Sequence, residues 1–421
     1  MDGYRVKSRE LNAPAQQIGK FLPAGLASIA IVLWLAACAP APATVTPAPP
    51  ATTAAPITPT GIVQAQTVTT PPVVTPAATG PLDVLQFTLP QGLGARHSFW
   101  QVLFTAPTGS RDPSTYFGGV DTYIADTLAG VQRTLDIVAY EFNSPALTQA
   151  VLDAKARGIR VRVVTDNEAG LNDDRTTLNQ LVAAGIPVVT DERSALMHNK
   201  FMILDGEIVV TGSWNFTIND TYRNNNNVLI LRSQAVVTGY QAEFDEMFIE
   251  GRFGPTSPAN TVRPSFTQDG IPVQLYFGPE DDPMDAMIEA VANAQDNIRF
   301  MTFSFTHDGL TDALLNRASG GLDIAGIFET TGSMTQYAAL PPLACAGIAV
   351  RQDGNPFVLH HKVFIIDNTT VVTGSFNFSA NATNSNDENM VIISDPALAS
   401  QYLAEWTRRW NEGRAPALTC S

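Results

Sequence analysis

Between residues 121 and 411 the apolar positions alternate between the three-to-four spacing of a helix face and short unbroken runs. Asp121 to Thr134 has helical spacing, and the strand-like run LDIVAYEF, Leu135 to Phe142, follows it. Pro145 to Gly158 reads as a second helix and Ile159 to Thr165 as a strand buried on both faces. The same order returns 162 or 163 residues later: helix at Met284 to Asp296, strand IRFMTFSF at Ile298 to Phe305, helix at Leu310 to Gly320, strand at Leu322 to Phe328. Each copy then carries a strand-turn-strand segment, a further strand (Val228 to Leu231; Met390 to Ile393) and a closing helix (Gln234 to Ile249; Ala397 to Asn411). Strands alternating with helices predict an α/β fold, here in two similar halves, each a mixed sheet covered by helices on both faces.

The halves divide at about residue 262, giving 82–262 and 263–421, with the Pro-, Thr- and Ser-rich stretch Gly251 to Gly270 as their joint. They differ chiefly at TGSRDPSTYFGG, Thr108 to Gly119, which only the first half carries. It is expected to be a surface loop, either an inert insertion or a rim of a cleft.

What precedes residue 82 has a different character. Arg5, Lys7, Arg9 and Lys20 flank an uncharged apolar stretch, Phe21 to Ala37, that closes on Leu35-Ala36-Ala37-Cys38. A basic flank, a short apolar segment and small residues before a cut site predict a secretory leader over 1–38. Leu-Ala-Ala-Cys resembles the lipobox of bacterial lipoproteins, which implies lipidation of Cys38; the alternative is an uncleaved membrane anchor. Residues 39–81 have no charge and eleven prolines, the composition of a disordered, extended linker. The folded part is therefore expected outside the cytoplasm, tethered to a bacterial membrane. There the two cysteines left after Cys38, Cys345 and Cys420, are free to pair.

The chain has 25 Lys and Arg against 40 Asp and Glu, of which four and two lie in the leader, so the remainder is net −17. Only three lysines remain there, Lys155, Lys200 and Lys362. Such acidity opposes sequence-independent binding to nucleic acid, although a basic cleft on an acidic body stays open.

Two of those lysines sit in a repeated stretch, HNKFMILDGEIVVTGSWN from His198 to Asn215 and HHKVFIIDNTTVVTGSFN from His360 to Asn377. Ten of the eighteen positions are identical, including His, Lys, Asp, Gly-Ser and Asn at fixed offsets. Each copy reads as a β-hairpin, with the imidazole and the ammonium on one strand face and Ser213 and Asn215, or Ser375 and Asn377, brought back beside them. Two half-clusters suggest one site built at a joint. No Cys/His spacing suits a metal, and no cofactor is called for.

His-x-Lys, four residues, Asp, six residues, Gly-Ser-x-Asn resembles the signature of the phospholipase D superfamily in its two-motif form. The resemblance implies two α/β/α halves about a pseudo-two-fold axis, a monomer acting as an internal pseudo-dimer. It also implies phosphodiester chemistry without a metal, in which His198 attacks phosphorus and His360 protonates the leaving group. Lys200, Lys362, Asn215 and Asn377 would hold the phosphoryl oxygens, with Ser213 and Ser375 as hydroxyl donors. Asp205 and Asp367 belong to the motif but fall where a hairpin turn favours Asp. His361 is off the spacing. Glu388 lies where relatives place a carboxylate that orients a catalytic imidazole, whereas its first-half counterpart is Asn226. The expected substrate is a phospholipid; an endonuclease and a cardiolipin-synthase-like phosphatidyltransferase are the alternatives.

Overall fold

The computed structural model describes residues 84–420. The expected leader, Cys38 and the linker lie outside the described residues.

The first half is a nine-stranded sheet: β1 (Leu85–Leu89), β2 (Gly92–His97), β3 (Trp100–Thr105), β4 (Thr134–Ala139), β5 (Arg160–Thr165), β6 (Val188–Thr190), β7 (Lys200–Leu204), β8 (Ile208–Gly212) and β9 (Asn227–Leu231), in the order β1-β2-β3-β9-β8-β7-β4-β5-β6. The second is eight-stranded: β10 (Ser265–Gln268), β11 (Ile271–Gly278), β12 (Asn297–Thr302), β13 (Asp323–Phe328), β14 (Ala349–Gln352), β15 (Lys362–Ile366), β16 (Thr370–Gly374) and β17 (Glu388–Ser394), in the order β10-β11-β17-β16-β15-β12-β13-β14. Both are mixed. β4, β5 and β6 are parallel, as are β12, β13 and β14, and the repeated hairpins β7-β8 and β15-β16 pair antiparallel at the centre of each sheet.

The helices α1 (Val120–Ala129), α2 (Pro145–Ala156) and α3 (Leu178–Ala183) cover one face of the first sheet, their apolar sides meeting Leu135, Ile137 and Met202 in one core. A short α4 (Ile218–Tyr222) follows the first hairpin and α5 (Gln234–Phe248) closes the half. The second half repeats this with α6 (Pro283–Asn293), α7 (Asp308–Ser319) and α8 (Leu340–Cys345) outside, then α9 (Ala380–Asn384) and α10 (Pro396–Glu412). The closing helices lie at the joint: α5 also meets β11, and α10 also meets β3. Their apolar faces join Phe201, Tyr240 and Val237 of one half to Val363, Leu398 and Tyr402 of the other in a single core. At about 1.5–3 kcal/mol for each large side chain fully buried, losing ten of these would exceed the roughly 5–15 kcal/mol by which a domain is stable. The halves fold as one unit.

Two boundaries differ from the sequence reading for one reason. The helices expected to reach Thr134 and Asp296 stop at Ala129 and Asn293. The Asp205 carboxylate accepts the backbone N–H groups of Gln132, Arg133 and Thr134, and the Asp367 carboxylate those of Gln295, Asp296 and Asn297. Three successive N–H groups bound to one carboxylate cannot also donate to the carbonyls four residues back, so neither helix can continue through them. The strands β4 and β12 likewise end three residues before their apolar runs, where Tyr140 and Phe303 leave the ladder to pack on the histidines. Cys345 and Cys420 form the expected disulfide, Cα to Cα 5.4 Å, tying the C-terminal tail to the end of α8.

Candidate active site

Each histidine enters the joint on a short extended segment clamped by the opposite half. The His198 N–H donates to the Asp387 carbonyl, and the His360 N–H to the Asn225 carbonyl, both at 2.9 Å. The strands proper begin two residues later, at Lys200 and Lys362. Each ammonium folds back onto the carbonyl of its own histidine, Lys200 Nζ at 2.5 Å from the His198 oxygen and Lys362 Nζ at 2.9 Å from that of His360. Imidazole and ammonium share one aromatic wall: Tyr140 lies 4.9 Å from the His198 ring and 4.8 Å from Lys200 Nζ, and Phe303 lies 4.8 and 4.7 Å from His360 and Lys362.

The hairpin return needs its glycine. Gly212 and Gly374 have φ of +131° and +150°, and a Cβ there would stand 2.4 and 2.2 Å from the Asn227 and Asn389 carbonyl oxygens. That close approach sets Ser213 and Ser375 against the strands β9 and β17.

What the serines then hold is the other half's histidine. Ser375 Oγ donates to Glu388 Oε2 at 2.6 Å, and the same oxygen is 2.8 Å from His198 Nδ1. Ser213 Oγ donates to Asn226 Oδ1 at 2.8 Å, and that oxygen is 3.0 Å from His360 Nδ1. Each half thus orients the imidazole of its partner half and leaves Nε2 free. Behind Asn226 stands a carboxylate that the sequence reading missed: Asp220 Oδ1 accepts from Asn226 Nδ2 at 2.9 Å and is 3.5 Å from His360 Nδ1. The position equivalent by the 162-residue offset is Ala382, so the repeat carried no signal for it.

A second ring of bonds exchanges across the axis in matched pairs. Asn389 Oδ1 accepts from Thr211 and Tyr240, and Asn227 Oδ1 from Thr373 and Tyr402. The amide of Asn389 donates to Asn199, and that of Asn227 faces His361, which therefore belongs to the frame and not to the reactive pair.

The remaining motif residues fall into two groups. Asn215 and Asn377 lie beside the serines, and neither amide oxygen has a hydrogen-bond partner among the described residues. Asp205 and Asp367, the motif aspartates at the hairpin turns, stand past the far ends of β7 and β15, about 16 Å of strand from the lysines, where they secure the hairpin to the start of the neighbouring strand and not to the reactive pair.

Burial dominates the electrostatics. It lowers His198 well below its ordinary value, with the charges of Lys200 and Lys362 adding to the effect, and it lowers His360 in the same way. Lys200 comes down to about 8 and Lys362 moves well down, again through burial, with Glu388 and Asp220 opposing. Glu388 is pushed up to about 8 by burial, against the pull of Lys200, the Ser375 hydroxyl and Lys362. Two ammonium groups and two imidazoles crowded into a dry joint form a cradle for an anion, since negative charge placed among them relieves their mutual repulsion.

Fold, duplicated motif and paired histidines together are those of the phospholipase D-like family. The chain belongs to that family: residues 124–248 and 287–410 both match the family described as "Cardiolipin synthase, PLD-like domain". It is 39% identical over 123 residues to the mitochondrial cardiolipin hydrolase of Xenopus tropicalis, covering 29% of this chain and 58% of that protein. It is 34% identical over 137 residues to the phospholipase D of Rickettsia conorii, covering 32% and 68%. The chain thus spans a little over half the length of the cardiolipin hydrolases it matches. The phosphatidylserine synthase of Haemophilus influenzae shares the fold at 13% identity, with a TM-score of 0.53 over 70% of this chain and 85% of that one.

Proposed function

We propose that this protein hydrolyses phospholipid phosphodiesters by the two-step route of the phospholipase D family. The observation that carries the reading is the unequal support of the two imidazoles: His198 Nδ1 meets a fully buried carboxylate at 2.8 Å, while His360 Nδ1 meets an amide. In its ionised form Glu388, whose value in the free site is about 8, fixes the tautomer with Nδ1 as donor and raises the basicity of Nε2, which suits His198 as nucleophile.

In the first step His198 Nε2 forms a bond to phosphorus, the bond from phosphorus to the leaving oxygen breaks, and that oxygen takes a proton from His360 Nε2. In the second, His360 removes a proton from water, the water oxygen attacks phosphorus, and the phosphorus–nitrogen bond to His198 breaks. Lys200, Lys362, Asn215 and Asn377 bind the phosphoryl oxygens, whose charge increases toward each transition state. The Ser213 and Ser375 protons are given to Asn226 and Glu388, so the serines contribute by orienting the histidines' partners.

Choice of a lipid substrate is supported by the names of the relatives, and the expected tether through Cys38 would keep the cleft near bilayers. A nuclease is favoured by a different observation. The loop expected over Thr108 to Gly119 reaches the second half, with Arg111 5.4 Å over the Phe357 ring. Arg223 lies 5.3 Å from Phe357 and 5.6 Å from Tyr116, which stacks on Tyr222 at 5.1 Å. Alternating guanidinium and aromatic faces can stack bases. The test offers cardiolipin vesicles, phosphatidylcholine vesicles and single-stranded DNA side by side. Release of phosphatidic acid or headgroup at a rate well above DNA cleavage is expected; the reverse order makes the protein a nuclease.

A further inference from the structure

Three carboxylates gather on the first-half side of the joint, away from the reactive pair. Glu243 and Glu246 stand one turn apart on α5, and Glu280 follows β11. One oxygen from each lies within 4.8 Å of the others. Glu243 and Glu246 are only 4% and 3% exposed. Glu243 accepts from Asn199 Nδ2 at 2.9 Å, but Glu246 Oε1, Glu280 Oε2 and the neighbouring Ser257 Oγ are buried with no hydrogen-bond partner among the described residues. The charges acting most strongly on Glu243 are themselves carboxylates, those of Glu280, Glu246 and Asp387. Three orphaned buried oxygens at one point, among uncompensated acids, are an unfavourable arrangement unless something cationic completes it.

The second half shows what completion looks like. The counterpart of Glu243, by the 162-residue offset, is Glu405, which meets His361 as Glu243 meets Asn199. Glu405 receives Arg408 at 2.7 Å and Arg409 at 3.2 Å, and despite its burial these guanidiniums and His361 hold it down to about 2. The residues equivalent to Arg408 and Arg409 are Glu246 and Met247. Where one half carries two built-in cations, the other carries an additional acid and an apolar side chain.

We propose that Glu243, Glu246 and Glu280, with Ser257 Oγ, bind a hard divalent cation of the calcium class, which takes the place that the arginines fill in the second half. Oxygens that all lie within 4.8 Å of one another can reach a single ion with bonds of about 2.4 Å, the calcium range. The ligands come from the closing helix of one half, the joining segment and the turn after β11 of the other, so the ion pins the halves together. Through Glu243 and Asn199 it also supports the residue next to His198. Its role is structural and positioning; it does not touch the reacting atoms, and the inference is independent of the substrate.

The test uses the full chain, stripped with chelator and desalted, then titrated with calcium, magnesium or manganese alone. One calcium per chain by calorimetry and elemental analysis is expected, with a rise in Tm of about 3–6 °C near saturation. Glu246→Gln with Glu280→Gln should lose both the ion and the rise. Glu246→Arg, which copies the second half, should lose the ion yet melt near the loaded wild type. If none of the three ions binds stoichiometrically and Tm does not move, the carboxylates share protons instead and the proposal fails. It fails equally if the double variant binds calcium as the wild type does.

Discussion

The two halves present the same hairpin, lysine and aromatic wall to the joint, yet they back their partner's histidine differently. Glu388, from the second half, places a carboxylate oxygen directly on His198, whereas Asn226, from the first, places an amide on His360 and keeps the Asp220 carboxylate one step behind. The carboxylate's unit charge can follow a proton between the two rings' states, while an amide holds geometry without favouring the imidazolium strongly. Duplication supplied two equivalent imidazoles; divergence at one position of β17 and one before β9 gave them unequal partners. Under the proposed mechanism, what divides nucleophile from acid lies behind the histidines and not in the histidines themselves.

The sharpest way to break that comparison is to remove each ring in turn. His198→Ala is expected to lose activity by about 10⁴-fold or more and to take up no label from a phosphorus-labelled substrate. His360→Ala should lose about 10²- to 10⁴-fold on a natural diester but still form the labelled intermediate from an aryl diester, whose leaving group needs no proton. Label in His198→Ala and none in His360→Ala would exchange the roles.

A covalent difference between the halves is the next largest effect. The disulfide lies wholly in the second, closing a loop of 75 residues. Its removal by Cys345→Ser with Cys420→Ser is expected to cost about 2–4 kcal/mol in denaturant unfolding. An unchanged midpoint would mean that the tail is held by its other contacts alone.

Making the backing residues alike tests the division of labour more gently. Glu388→Asn copies the first half and should reduce kcat about 10- to 100-fold, whereas Asn226→Ala should cost less with an aryl leaving group than with a natural one. Equal losses on both substrates for both variants would show that the inequality behind the rings has no catalytic meaning.

The smallest effect expected is in pH. Lys200 titrates at about 8 in the free site because burial disfavours its charge, so above pH 8 it loses the proton that binds the phosphoryl group. kcat/KM should then fall with rising pH, approaching tenfold per unit. On the acid side burial keeps His198 neutral to well below its ordinary range, so its nucleophilicity should persist where a solvent-exposed ring would be charged, whereas His360, lowered in the same way, must gain its Nε2 proton when the anionic substrate enters and raises its proton affinity. For stability the sign is opposite to activity: the folded state holds the Lys200 proton less tightly than the unfolded chain, so this group makes folding more favourable as pH rises from about 8 toward the ordinary lysine range. Melting curves and initial rates over pH 5 to 10 would separate the two.

The repeat made most of this molecule legible before any coordinates. Helix and strand order follow from apolar period, a property of neighbouring residues, and the two-half α/β architecture follows from that order being written twice. The cluster of His198, Lys200, His360 and Lys362 was readable for the same reason, since chemically demanding residues kept their offsets while packing residues drifted. What local pattern could not supply was anything depending on contacts between residues far apart along the chain. That Glu388 serves His198, that Asp220 stands behind His360 and that Glu246 and Glu280 meet Glu243 depend on how the halves dock, and that the motif aspartates tie strands together depends on the fold within each half. Docking is decided by the summed burial of one shared core and by matched hydrogen bonds across an axis, and neither leaves a period along the chain. The sequence by itself determined which groups could react; only the tertiary structure decided which partner each one has, because a side chain's proton affinity is set by what burial places beside it.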